Sequence, residues 1–398
     1  MIKMKLSTIF ATFWMFASLA TTVISVPPAQ AATIQVDGTC TLADAIIAAN
    51  TDTATGDCPA GDAGADTLVL DTAVSLSTPD PGATEFNGFG AALPDVTDDL
   101  MITAGLADEI ALNAGLSCGA EGPGPFFRLI NLISGSLALE GLRLLGGCLV
   151  GNGFSGGMIR AEASTELTLD NVTIQSPTFI ATSGSMRGGV IYSVGDTVTL
   201  VDTLIDGLSG EAGFQWEGGA VFMESLGGGI SGQLSVIDST FSNFNILSAG
   251  SLIGGAIQSR NLDIDGATFE DFTLRMAGNL QGGAVHVGQE AALSTIRNSF
   301  FRRIDGLLID VPPADGSANN LFGGALHSTF GSEIMLSDSQ FSDITMVSGG
   351  TCRGGAIYVE ETSLLERFIV EDSSCQILEN TVFRGGAAVY GNYSRQVY

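Results

Sequence analysis

The chain has 398 residues and a formal charge of −28, from 15 Lys and Arg against 43 Asp and Glu. Such a surface repels nucleic acid and anionic membranes, so neither is an expected partner. Apolar residues make up 45% of the chain, which excludes a disordered polymer despite the 53 glycines.

Lys3 and Lys5 precede an apolar run from about Ile9 to Val26, which Pro27-Pro28 end. Ala29-Gln30-Ala31 then fits the small-x-small cleavage rule. Residues 1–31 therefore read as a secretory signal peptide, and the mature chain is expected to begin near Ala32. Cleavage would remove both lysines and leave 13 arginines against 43 acids, a charge of −30. The mature chain should carry no transmembrane segment and be secreted or held at the cell surface.

Cysteines stand at 40, 58, 118, 148, 352 and 375. An even count in an exported chain points to disulfides, and local pairing is simplest: Cys40 with Cys58, Cys118 with Cys148, Cys352 with Cys375. No CxxC occurs, which speaks against zinc. Thr41-x-x-Asp44 is a helix-start signal of the capping-box kind. Ala45, Ile46, Ala48 and Ala49 fit a short helix that Asn50 can end.

From about residue 137 to 390 the chain repeats itself. Glycine pairs begin at 156, 188, 218, 254, 282, 323, 354 and 385, at intervals of 28 to 41 residues. A period near 30 with variable insertions signals a solenoid. A second phrase, apolar-x-apolar, four residues, apolar, lies between the pairs. It reads Leu137/Leu139/Leu144, Leu167/Leu169/Ile174, Val198/Leu200/Ile205, Leu234/Val236/Phe241, Leu262/Ile264/Phe269, Leu293/Thr295/Phe300, Ile334/Leu336/Phe341 and Phe368/Val370/Cys375. Alternation over three residues is the period of a strand with one buried face. Within the phrase, three residues before its last position, stands Gly141, Asn171, Asp202, Asp238, Gly266, Arg297, Asp338 or Asp372. All but Arg297 tolerate a tight bend. Short strands on this period with almost no helical pattern fit a parallel β-helix, whose coils stack about 4.8 Å apart.

The stretch CTLADAIIAANTDTATGDCPAGDAGADTLVL, residues 40–70, resembles the CSLREA domain. Cys40, Leu42, Ala45, Ile46, Ala48-Ala49-Asn50, Cys58 and Asp66-Thr67-Leu68 match. Ala43 and Asp44 replace the usual Arg and Glu, so no role of that pair carries over. The GGAI phrase across 156–390 resembles the polymorphic outer membrane protein repeat, without its FxxN phrase. Both resemblances imply the pectate-lyase-like superfold on secreted or surface-displayed proteins. The expected fold is all-β: a single-stranded right-handed parallel β-helix over 71–398, with an N-terminal cap over 32–70 that contains the short helix. A cap is physically required because an open solenoid end exposes its core and sheet edges. At the other end, Gly385-Gly386 opens a coil that only AAVYGNYSRQVY follows, so the chain is expected either to be a fragment of a longer one or to meet an end-to-end or C-terminal partner there.

Of the motifs of the polysaccharide-cutting β-helix enzymes, GHG and RIK do not occur, NTD is met only as Asn50-Thr51-Asp52 at the end of the short helix, and the acid pair Asp98-Asp99 stands alone. The acids are spread over bends and loops. No cofactor is called for. Asp52, Asp57, Asp62 and Asp66 are the candidate calcium ligands, although Ala54 stands where an EF-hand needs one. Arg302-Arg303 beside Phe300-Phe301 reads as a solvated coil edge. The residue after each GG-small-aliphatic phrase runs Arg160, Tyr192, Phe222, Gln258, His286, His327, Tyr358. If the aliphatic faces inward, this slot faces outward. Tyr192, Phe222, His286, His327 and Tyr358 would then form an exposed aromatic ladder suited to sugar rings. The expected role is binding, adhesion or structure towards a glycan or cell-surface ligand, without catalysis. The alternative is a polysaccharide lyase or glycoside hydrolase of the same fold.

Overall fold

A computed structural model describes residues 31–395 except 113–117, 119–125, 196, 227–229, 290–292, 309–319, 349–350 and 378–388. Residues 1–30 of the proposed 1–31 signal peptide and the glycine pair at 385 lie outside the described residues. The chain is an all-β parallel solenoid of about nine stacked coils. One coil runs Trp216–Glu217, Val221–Met223, Gln233–Ile237, Thr240–Ser242 and Asn245–Ser248, and the next begins at Leu252–Ile253. Each strand pairs in parallel with its equivalent one coil on: Trp216 with Leu252, Val221 with Ile257, Leu234 with Leu262, Phe241 with Phe269 and Ile246 with Leu274.

The expected inward residues are inside. Ile159, Ile191, Val221, Ile257, Val285, Leu326 and Ile357 form one fully buried column. Phe241, Phe269, Phe301 and Phe341 form another, with neighbouring rings stacked 4.6 to 4.9 Å apart. Such offset-stacked rings add to the area they bury.

Two of the eight phrases sit in a different frame from the one expected. In one coil the buried set is Ser294, Ile296 and Phe301, while Leu293 and Phe300 are 50% and 46% exposed. The last coil aligns Leu365 with Leu336 and Val370 with Phe341. The weak member Thr295 marked the slip: a one-residue shift exchanges the two faces of a strand. The bends move with the frame. Asn298 and Arg367, not Arg297 and Asp372, join Asn171, Asp202, Asp238 and Asp338 in the left-handed region, with φ between 46° and 52°. Asp372 is left-handed at a later bend, and Arg297 lies in a strand beside Asp265.

The glycine pair has two separate causes. The first glycine is left-handed (Gly188 φ 57°, Gly254 φ 63°), which L side chains rarely adopt. The second meets the backbone of the next coil. A Cβ on Gly219 would lie 1.8 Å from the carbonyl oxygen of Gly255, and one on Gly255 would lie 1.9 Å from that of Gly283.

Helix α1 spans Leu42–Thr51 and packs Leu42, Ala45, Ile46, Ala48 and Ala49 into the core shared with Ile34, Val36, Leu68 and Leu70. Thr41 caps it: its hydroxyl accepts from the Asp44 N–H and donates to the Asp44 carboxylate. The helix ends on Asp52 at φ 50°, not on Asn50. Asn50 instead bridges outward, donating to Asp95 O and accepting from the Thr97 N–H. The strand Thr33–Val36 already stacks on Asp66–Leu70, so the cap region contributes the first coil.

Cys40–Cys58 and Cys118–Cys148 are bonded as expected. Cys352 is also disulfide-bonded, and the side chain of Cys375 lies outside the described residues. The first bridge closes a separation of 18 residues across the cap. Replacing both Cys40 and Cys58 by Ser is expected to lower stability by about 3 kcal/mol through the freed unfolded chain. Urea titration of the oxidised protein beside the double variant measures this. Equal midpoints would show that the bridge constrains nothing.

Candidate functional site

The glycine corner creates the site. Each coil approaches it along a two-residue strand, Met186–Arg187 for example, turns at the left-handed glycine, and leaves along a three-residue strand, here Ile191–Ser193. Two columns of outward side chains flank the corner. Ser155, Arg187, Glu217, Ile253, Gln281, Phe322 and Arg353 lie before it. Arg160, Tyr192, Phe222, Gln258, His286, His327 and Tyr358 lie after it, in register as expected.

The ladder exists but is not exposed. Tyr192, Phe222, His286, His327 and Tyr358 are all buried, the least so being Phe222 at 7%. The corner is concave, so the column before it folds over the column after it. Arg187 lies 5.5 Å from the Phe222 ring centre. Phe322 covers His327 and Tyr358 with ring centres 6.0 and 5.2 Å away. Alternation does place these residues outside the main core, where they form a second, lateral one.

At the N-terminal end the 79–95 excursion closes the corner. Arg128 is fully buried and donates to the carbonyls of Phe89 (2.7 Å), Gly156 (3.0 Å) and Ser155 (3.2 Å). Burial lowers its pKa to about 10, with the neighbouring Arg160 adding to the effect. Arg160 is sandwiched between Phe86 (4.1 Å) and Tyr192 (4.7 Å) and pairs with Glu162 at 2.6 Å. Arg128 belongs to no repeat phrase, and sequence reasoning passed over it.

Between these covers the corner opens into a groove of about 540 Å³. Phe222, Gln258 and His286 lie at its base, with Arg187, Glu217, Glu224, Arg260, Phe330 and Glu360 around them. Of the expected ladder, then, Phe222 and His286 reach the groove, while Tyr192, His327 and Tyr358 do not line it. Three of its carboxylates already have partners. Glu217 and Glu224 both face Arg187, at 2.8 and 3.8 Å, and Glu360 accepts the Phe330 N–H at 2.9 Å. Arg260 is exposed and has no ion-pair partner among the described residues; Phe330 is 68% exposed. Arg187 stands directly before a glycine pair, as Arg353 does, and that RGG phrase was the available signal for the groove wall.

His286 at the base pairs with His327, which lies one coil on and does not line the groove. His286 and His327 stack at 4.9 Å, with their Nδ1 atoms 2.9 Å apart. His327 Nε2 has no hydrogen-bond partner. One Nδ1 must donate and the other accept, so the pair is held by neutral rings. Burial pushes His286 well below its ordinary range, with the His327 charge adding to it, and burial alone takes His327 to about 3.

Comparisons with protein-family models, with curated proteins and with solved structures found no match. Function therefore rests on the site alone.

A second concave corner, about 800 Å³, is lined by Asn243, Asp271, Arg303, Asp305, Asp343 and Asp372 among others. Its left-handed bend residues explain Asn243, Asp271, Arg303, Asp343 and Asp372. Arg303 pairs with Asp271 at 2.5 Å and with Glu270 at 2.6 Å, and Arg302 also pairs with Glu270. The Arg302-Arg303 pair is thus a solvent-facing coil edge. Among the described residues no group of three or more His, Cys, Asp or Glu side chains is placed to hold a metal. Asp52 caps α1, and Asp66 turns inward, 1% exposed, so the Asp52, Asp57, Asp62 and Asp66 set does not assemble into a calcium site.

Proposed function

We propose that this chain is an exported β-helix protein that binds a glycan or cell-surface ligand in the lateral groove without chemically changing it. One observation carries the reading. The groove offers the exposed ring of Phe330 and the guanidinium of Arg260, which has no ion-pair partner among the described residues, while its carboxylates are already engaged. Ring faces with polar edges suit sugars. Glycoside hydrolysis needs two free facing carboxyls, and the three carboxylates of this groove are engaged by Arg187 or by the Phe330 N–H. Export is supported by the cleavage pattern at 29–31 and by disulfides, which persist in oxidising compartments. The CSLREA resemblance at 40–70 points the same way. Among the described residues no helix is long and apolar enough to cross a membrane.

A glycan array on the chain from Ala32 onward tests this, followed by titration of any ligand found. Phe330→Ala and Arg260→Ala should each weaken binding at least about tenfold, equivalent to about 1.4 kcal/mol, with unchanged Tm. Unaltered affinity in both variants would place the ligand elsewhere. Release of reducing ends or unsaturated sugars from a polysaccharide, abolished by Glu217→Gln or Glu224→Gln, would replace the reading with a lyase or hydrolase.

A further inference from the structure

The backbone nitrogen of Ala32 lies 2.8 Å from Asp66 Oδ1. Asp66 is buried, at 1% exposure, at the start of the strand Asp66–Leu70. Its other donor is the Asp62 N–H, 3.3 Å from both carboxylate oxygens. Among the described residues no arginine pairs with it, and the sequence from Ala32 to Tyr398 contains no lysine. A buried carboxylate with only amide donors is costly. Ala32 is also the residue that cleavage after Ala31 would leave first, and Ala31 itself is exposed.

We propose that hydrolysis of the Ala31–Ala32 peptide bond creates an α-ammonium that pairs with the buried Asp66 carboxylate, so that processing completes the N-terminal cap. This rests on the export reading given above. Water adds across the bond: the leader departs with the Ala31 carboxylate, and Ala32 keeps the nitrogen as an ammonium. The donor atom need not move, because the same nitrogen already faces Oδ1. The change is from an amide dipole to a full positive charge against a carboxylate that lacks one. Burial raises the Asp66 pKa, and the nearby Asp52 and Asp62 charges add to that, so a cation at this point relieves all three. The pair also reaches the helix. The loop at Gly61 lies over the carboxylate, where a Cβ would come within 2.2 Å of Asp66 Oδ2, and the Gly61 N–H donates to Ala48 O near the end of α1.

The absence of lysine makes the test direct, since the α-amine is the one primary amine in the sequence from Ala32 to Tyr398. The exported protein is sequenced from its N-terminus and then acylated with an amine-selective acetyl ester at neutral pH. A first residue of Ala32 is expected; another start would refute the processing step itself. With Ala32 first, native protein should acylate at least about tenfold more slowly than a version retaining Ala31, because each unit of raised amine pKa removes about nine-tenths of the reactive free base. The retained residue should also lower Tm, and Asp66→Asn should abolish that difference. If Asp66→Asn does not fold, the rate comparison stands without it. Equal acylation rates, with Ala32 confirmed as first residue, would overturn the ion pair and leave export untouched.

Discussion

Gly219→Ala is expected to lower stability by about 3–5 kcal/mol, combining the cost of overpacking with lost backbone hydrogen bonds. The added methyl carbon would sit 1.8 Å from the Gly255 carbonyl oxygen. Contact distance for that pair is about 3.3 Å. Backbone, not a side chain, is in the way, so relief requires the two coils to part. Parting them strains Gly219 N–H to Gly254 O (2.9 Å) and Ala220 N–H to Ala256 O (2.8 Å). The coils stack through nearest neighbours, so the break is felt on both sides. Gly82→Ala is the control, since the nearest atom to its added carbon is the Asp80 carboxylate oxygen at 3.2 Å, the end of a half-buried side chain and not backbone. Urea midpoints within error of each other for the two variants would refute this account of the glycine pairs.

Acid is expected to weaken the protein through His286 and His327. Both rings are neutral in the fold, where burial holds their pKa values far below the ordinary 6.5. The unfolded chain takes up protons on these rings as pH falls through about 6.5, and the folded chain does not. Their neutral pair is therefore fully compatible with the fold above that pH. The penalty grows from there down to the His327 value of about 3. At pH 5 it amounts to about 2 kcal/mol for each ring. Acidification also relaxes repulsion in a chain of formal charge −28, which acts the other way. The comparison that isolates the rings is with His286→Gln combined with His327→Gln. Glutamine is chosen because Gln258 already occupies this column one coil before His286. Between pH 7.5 and 5 the native protein should lose about 4 kcal/mol relative to the double variant in urea titrations. Parallel pH profiles would show that the rings are not buried neutral.

The repeat, its inward aliphatic column, six of the eight phrase frames, the N-cap at Thr41 and two of the disulfide pairings were legible in the residues. Each depends on spacing within a few tens of residues: alternation decides which side chains share a face, and left-handed backbone favours glycine, asparagine or aspartate. The two misplaced frames came from coils whose apolar marks were weak, where Ser294 fills a core position and Leu293 an exposed one. What alternation cannot say is whether an outward face meets water. Tyr192, Phe222, His286, His327 and Tyr358 point away from the main core, as their phase requires. They are nonetheless buried, because the left-handed glycine makes the corner concave and brings Arg187 and Phe322 over them. The same holds for Arg128, whose partners Phe86 and Phe89 lie about 40 residues away, and for Asp66, which meets Ala32 across 34. Spacing along the chain determines phase and local turn; only the closing of distant segments on one another decides which polar groups lose their water, and hence where charge and ligand can go.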